Sequence, residues 1–204
     1  MKDLLDSQII VVYGGRGSGK TCFSYSLLMQ SVKPKYFFAH PRPELLEPLG
    51  IKPVEDFADM VRLEDVTVYI DEVQAVLPNN TKNKDKLNIL FSLARQRNLT
   101  LIFSTTDTRY FTIAQDAFID AYVIKDINAT LVKRGSPIIR AIRKYSPLDI
   151  EAFSLKPNEY LIYSHKLKHL NRKHTFKLPS FWSDRYSKPY SDKLFETEEI
   201  EVQQ

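Results

Sequence analysis

Eight consecutive residues, Gly14-Gly15-Arg16-Gly17-Ser18-Gly19-Lys20-Thr21, spell G-x-x-x-x-G-K-[ST]. Glycines at these positions let successive backbone N–H groups curl around an anion without Cβ clashes. A helix starting at the loop adds partial positive charge, Lys20 reaches the β- and γ-phosphates, and the Thr21 hydroxyl is a Mg²⁺ ligand. The expected contacts of a nucleoside triphosphate are therefore Gly15, Arg16, Gly17, Ser18, Gly19, Lys20, Thr21 and Cys22. The flanks agree: Ile9 to Tyr13 reads as a buried strand and Cys22 to Gln30 as a helix, the context this loop requires.

A second group lies some fifty residues on, where Val66-Thr67-Val68-Tyr69-Ile70 runs into Asp71-Glu72. At such a strand tip Asp71 is the candidate to orient Mg²⁺ through water, beside Thr21. Glu72 is the candidate base that polarises the attacking water, which favours hydrolysis over phosphoryl transfer to a small molecule. The next apolar run, Leu101-Ile102-Phe103, ends in Ser104-Thr105-Thr106. Thr105 and Thr106 are candidates to contact the γ-phosphate or the water, against the plain alternative that threonine favours strand ends. Arg95 and Arg97 precede this strand; an arginine can neutralise transition-state charge from a neighbouring subunit, or simply be a surface helix charge. Arg95 is the first candidate, followed by Arg16 and Arg109.

Positioning these groups calls for an α/β architecture: a mainly parallel central sheet flanked by helices. Strands are expected near 9–13, 35–39, 66–70, 100–104 and 121–125, and helices near 19–30, 54–61, 84–97 and 129–145. Residues 77–80 read as a loop that opens a polar stretch, 79–86, expected to be mobile. Beyond Pro147 the pattern changes, with a strand at 159–164, a hairpin partner at 175–178 and a basic connection between them. The expected division is a P-loop, triphosphate-hydrolysing core at 1–146, a basic, aromatic extension packed on it at 147–190, and a frayed acidic tail at 191–204.

Composition fits one compact domain: 204 residues, 43% hydrophobic and 26% charged. No apolar run is long enough to span a membrane, and the N-terminus does not resemble a signal peptide. One cysteine, Cys22, excludes an internal disulfide framework and suits a reducing interior. The net charge of +4 is unevenly spread. Residues 1–126 sum to −1 (15 Lys/Arg, 16 Asp/Glu), 127–190 to +9 (13 and 4) and 191–204 to −4 (1 and 5). A basic segment beside a nucleotide core suggests a polyanionic partner, or a solvated basic face. Within it, Lys166, Lys168, Arg172 and Lys173 are the candidate backbone contacts to nucleic acid, with Arg140, Arg143 and Lys144 in support. Three histidines lie in the same stretch, without the cysteines or acids that would complete a zinc site. The aromatic group around Phe181 and Trp182 reads as a cap on the core rather than a stacking platform for nucleic-acid bases.

Asp71-Glu72-Val73-Gln74, a polar helix, and then Ala94-Arg95-Gln96-Arg97-Asn98 running into Leu101-Ile102-Phe103-Ser104-Thr105-Thr106 resemble the FtsK–HerA superfamily of P-loop ATPases. The small size is most similar to the viral genome-packaging branch, as found in archaeal turreted icosahedral viruses. The Asp-Glu-x-Gln and Arg-x-Arg-x-Leu elements also resemble the zonula-occludens-toxin-like assembly ATPases of filamentous phages. The likeness covers roughly residues 8–125. It implies ATP and Mg²⁺ as cofactors, a homo-oligomeric ring (pentamer or hexamer) with sites at subunit interfaces, and double-stranded DNA as the partner. It further implies a host-cytoplasmic or virion-associated setting, with capsid or membrane-associated virion proteins as further partners. The rival it allows is a morphogenesis or secretion ATPase that handles protein. Two departures stand out: Thr106 replaces the usual glutamine, and Asn98 the usual glycine, though asparagine tolerates a left-handed backbone.

Overall fold

The computed structural model describes residues 1–107, 110–126, 155–168 and 172–187. Its centre is an eight-stranded sheet in the order β3-β2-β4-β5-β1-β6-β7-β8. The strands are β1 (Ile9–Tyr13), β2 (Lys35–Phe38), β3 (Ile51–Val54), β4 (Thr67–Ile70), β5 (Thr100–Thr105), β6 (Ala121–Ile124), β7 (Glu159–Ser164) and β8 (Lys173–Thr175). Strands β1 to β6 pair in parallel, and β7 and β8 are added antiparallel at one side. Parallel strands covered on both faces must be apolar throughout, and β1, β4, β5 and β6 are buried at every position.

Two helices seal the faces. Helix α1 (Lys20–Met29) is buried from Cys22 to Leu28 and has no polar side, so it needs cover above as well as below. The C-terminal segment supplies that cover: Phe181, Trp182 and Tyr186 place their rings 5.7–6.3 Å from the Tyr25 ring. The expected aromatic cap is thus seen, ending in the short helix Asp184–Ser187. On the other face α4 (Thr81–Gln96) is amphipathic, burying Leu87, Leu90, Phe91 and Ala94 at the i, i+3, i+4, i+7 spacing.

Three expectations need correcting. The 54–61 segment is not one helix: Ile51–Val54 is a strand and the helix is only Phe57–Met60, α2. Pro53 is tolerated because β3 is the sheet's edge, where a missing donor costs nothing. The helix expected from 84 starts three residues earlier, so the polar stretch through 86 forms the first turns of α4; the Asn80 side chain caps it by accepting from Asn83 N–H at 2.9 Å. The hairpin partner of β7 is Lys173–Thr175; Glu159 pairs with Thr175, so the sheet ends there and Phe176 turns inward beneath α1. The expected helix at 129–145 and the boundary at 146 lie outside the described residues, as do Arg109, Arg140, Arg143, Lys144 and the acidic tail.

Candidate functional site

Because β1, β4 and β5 run parallel, the segments that follow them emerge on one edge of the sheet. The register Ile70↔Phe103 brings Asp71 level with Ser104, and Tyr13↔Thr105 brings the glycine-rich loop beside the end of β5. Strand β5 separates β1 from β4, so its last residues lie between the loop and the two acids. The residues singled out from three separate stretches of sequence thus meet at one place.

The loop is preformed for an anion. Gly17 and Gly19 have φ of 76° and 83°, left-handed values that only glycine adopts freely. A Cβ at Gly19 would also lie 2.9 Å from the Pro157 carbonyl oxygen. The backbone N–H groups of Gly17, Gly19, Lys20 and Thr21 have no protein acceptor among the described residues, as befits donors reserved for a ligand at a helix start. The buried Ser18 hydroxyl is likewise unpartnered. Lys20 is 5% exposed and donates to the Gly15 carbonyl at 3.1 Å.

Across the loop, Lys20 Nζ lies 3.3 Å from Glu72 Oε1. Glu72 reaches it from a strained backbone, φ 41° and ψ 57°. A non-glycine residue in that region costs roughly 1–2 kcal/mol. The Glu72 N–H donating to Ser104 Oγ at 2.9 Å, and the sheet itself, hold it there.

Asp71 Oδ1 accepts from Tyr69 Oη at 2.6 Å and from Ser104 Oγ, which leaves Oδ2 for metal-bound water. Burial pushes the Asp71 carboxyl above its usual range, while Ser104, Tyr69 and the Lys20 charge pull it down. Among the described residues no cluster of three or more His, Cys, Asp or Glu could hold a metal alone. Thr21 and Asp71 fit a cation that would bring its remaining oxygen ligands from a phosphate and water. That is the donor set Mg²⁺ prefers.

Gln74, quoted in the motif but given no role from sequence, joins these groups. Its Nε2 donates to Glu72 Oε2 and, at 3.0 Å, to Thr106 Oγ1, while its Oε1 accepts from Thr105 Oγ1 at 2.8 Å. Thr105 is fully buried and also accepts from Asp107 N–H at 3.0 Å, so its hydroxyl is spent on positioning Gln74. Ser104 and Tyr69 also escaped the sequence reading; only their places in the strands that carry the acids could have signalled them. Cys22 is buried, which pushes its thiol up to about 11 and makes it a packing group beside the loop.

The remaining candidates sit elsewhere. Arg95, at the end of α4, lies near the strand starts, 3.7 Å from Asp120 Oδ1. Asp120 Oδ2 in turn accepts from the Gln8 and Ile9 N–H groups that open β1, at 2.9 and 3.1 Å. The five residues of β1 separate that edge from the loop, roughly 16 Å at the strand rise. Arg95 therefore cannot serve its own chain's loop. Lys166 also pairs with Asp120, and Lys173 with Glu159 at 3.3 Å. Lys168 and Arg172 are exposed, with no ion pair among the described residues. Arg16 is exposed at the loop itself.

No family profile matches the chain, and no curated protein sequence does. Solved structures do. The genome packaging NTPase B204 from Sulfolobus turreted icosahedral virus 2 in complex with AMPPCP is 14% identical, with a TM-score of 0.56 over 85% of this chain and 98% of that one. B204, the DNA-packaging ATPase from Sulfolobus turreted icosahedral virus, gives 14% and 0.56 over 84% and 98%. The fold is that of a P-loop ATPase. The EssC fragment (ATPases 2 and 3) from Geobacillus thermodenitrificans agrees, at 12% identity and 0.55 over 96% of this chain and 44% of that one. The likeness to these P-loop ATPases is one of fold. In this fold, the loop, the paired acids and the Gln74 bridge share one edge of the sheet. No helix among the described residues is long and apolar enough to cross a membrane.

Proposed function

We propose that the chain is a Mg²⁺-dependent ATP hydrolase that works as a homo-oligomeric ring to translocate double-stranded DNA in viral genome packaging. The observation that carries the hydrolase is the Glu72 carboxylate held 3.3 Å from Lys20 and bridged by Gln74. A carboxylate fixed opposite a phosphate-binding lysine is placed to accept a proton from water attacking the γ-phosphate. When a triphosphate draws Lys20 away, Glu72 keeps Gln74 as its anchor and is free to act as the base. Lys20 and the loop amides neutralise the phosphates, and Thr21 and Asp71 hold the metal. The position of Arg95 at the far edge supports a ring, since it can meet a triphosphate only on another subunit. The likeness to solved packaging ATPases and the basic β7–β8 connection support DNA as cargo.

The test is steady-state ATP turnover with and without double-stranded DNA, in the wild type and in Glu72→Gln. Turnover stimulated by DNA, and a Glu72→Gln protein that binds ATP yet loses at least about a hundred-fold in kcat, are expected. Unchanged turnover in that variant removes Glu72 from the mechanism. Turnover indifferent to DNA, with capture of virion proteins, favours the protein-handling ATPase. Particle images with a non-hydrolysable analogue and duplex DNA show whether a pentameric or hexameric ring forms around the duplex.

A further inference from the structure

The cavity that opens from the phosphate loop is larger than a triphosphate needs. It has a volume of about 890 Å³ and divides by chemistry. The loop residues Arg16, Gly17, Gly19, Lys20 and Thr21, with Cys22 and Glu72, share its lining with an apolar set, Pro157, Phe176, Leu178 and Trp182, beside Asn158. The apolar wall belongs entirely to the segment beyond residue 155, whose aromatic residues the sequence suggested only as a cap. A ligand that touches both sets must be a polyanion joined to a flat apolar body.

The wall is built rather than incidental. Lys125, 1% exposed at the end of β6, donates to the carbonyls of Pro157 and Glu159 at 2.7 Å each. Its ammonium also lies 4.5 Å from the Phe176 ring centroid, a cation–π contact. Phe176 N–H donates to the Asn158 carbonyl at 3.0 Å, and the Phe176 ring meets Phe23 edge-on at 5.4 Å. Trp182 rests on Tyr25, one turn along α1 from Thr21. Leu178, by contrast, is 64% exposed at the mouth of the cavity, an apolar side chain without cover.

We propose that this wall is the nucleobase subsite of the triphosphate site. The purine ring lies against Leu178 and Trp182 while the phosphates occupy the loop. The assignment rests on the proposed nucleotide function and adds the base-binding half to it. A purine suits the wall better than a pyrimidine because it offers more ring area to bury, and stacking on aromatic side chains grows with that area. Lys125 is the positioning residue that pins the wall to the loop.

The experiment compares Mg·ATP, Mg·CTP and Mg·tripolyphosphate by calorimetry on the full chain. Trp182 is the protein's single tryptophan, so its emission reports on the wall directly. In the wild type, ATP binds more tightly than CTP, and CTP more tightly than tripolyphosphate. Trp182 emission changes with ATP but not with tripolyphosphate. Trp182→Ala weakens ATP about ten- to hundred-fold and leaves tripolyphosphate affinity unchanged. Because Trp182 also packs on Tyr25, the exposed Leu178→Ser provides a variant that need not disturb folding; it weakens ATP several-fold with the same selectivity. Equal affinity of ATP and tripolyphosphate, or ATP binding that leaves Trp182 emission and the Leu178→Ser affinity unchanged, overturns the subsite. Failure of tripolyphosphate to bind the wild type overturns the phosphate-site reading beneath it, and the subsite with it.

Discussion

The two edges of the parallel sheet solve opposite problems. At the edge that receives the glycine-rich loop, half-buried polar side chains are bonded to each other: Asp71 to Tyr69 and Ser104, Glu72 to Lys20 and Gln74, Gln74 to Thr105 and Thr106. At the far edge, long cations stand in solvent around one buried acid, with Arg95 and Lys166 58% and 55% exposed and Asp120 3%. The first arrangement is fixed within one chain before any ligand arrives. The second presents its charge outward, where only another molecule can use it. Asp120 holds both of those cations at the strand starts.

The largest effect expected from this contrast is at Arg95. If the far edge serves a neighbour's site, Arg95→Ala and Lys20→Ala are each inactive, losing about a thousand-fold or more in kcat. Mixed in equal amounts, they regain up to about a quarter of wild-type turnover, because one interface in four joins an intact loop to an intact arginine. Mixtures no more active than either parent show that Arg95 does not act across the interface.

Next comes Gln74, which tests whether the near edge works as one network. Gln74→Ala removes the anchor of Glu72 and leaves Thr105 and Thr106 without their shared partner. We expect kcat to fall about ten- to hundred-fold with KM for ATP nearly unchanged, and Gln74→Asn to recover little because its shorter amide cannot span both sides. A Gln74→Ala protein with wild-type kcat makes the bridge an ornament of the resting state.

What the sequence revealed follows the same division. The loop, Asp71 and Glu72 are legible because their chemistry demands fixed residue types at fixed spacing. The left-handed turn at Asn98 was also readable from its residue type, and its φ of 50° bears it out. Gln74, Ser104 and Tyr69 were not readable as partners, since their roles arise from β5 lying between β4 and β1, which no local pattern encodes. β3 was hidden by Pro53, which argues against a strand until the strand is known to be an edge. Lys125 shows the same limit: a lone lysine after an apolar strand looks solvated until the chain from 157 to 159 closes over it.

That burial gives Lys125 a signature in pH. Burial holds its ammonium down to about 8, below the usual lysine value of 10.5. Between those two values the unfolded chain binds the proton more readily than the folded one, so stability rises with pH from about 8 upward. Below 8 both states are protonated and no pH dependence arises from this group. From pH 8 to 9.5, before the buried tyrosines reverse the trend, unfolding by urea should show a gain of roughly 1–2 kcal/mol. Lys125→Met should lack that gain. A wild type whose stability is flat or falling over this range shows that Lys125 is not desolvated as the fold implies.

The smallest effect separates cations that are held from cations that are free. Each phosphate contact adds about 0.9 to the slope of log affinity against log salt for duplex DNA. Lys168 and Arg172 are exposed with no acid beside them among the described residues, so Lys168→Ala with Arg172→Ala should lower the slope by about two. Lys166 must first leave Asp120, and Lys173 must leave Glu159, so each alone should lower it by less than one. Filter binding of a random duplex at several salt concentrations measures all three. If Lys166→Ala and Lys173→Ala each lowered the slope by half as much as the double variant, Asp120 and Glu159 would not hold their partners back. An unchanged slope in the double variant would move the DNA contact away from the β7–β8 connection and leave the far edge to the neighbouring subunit alone.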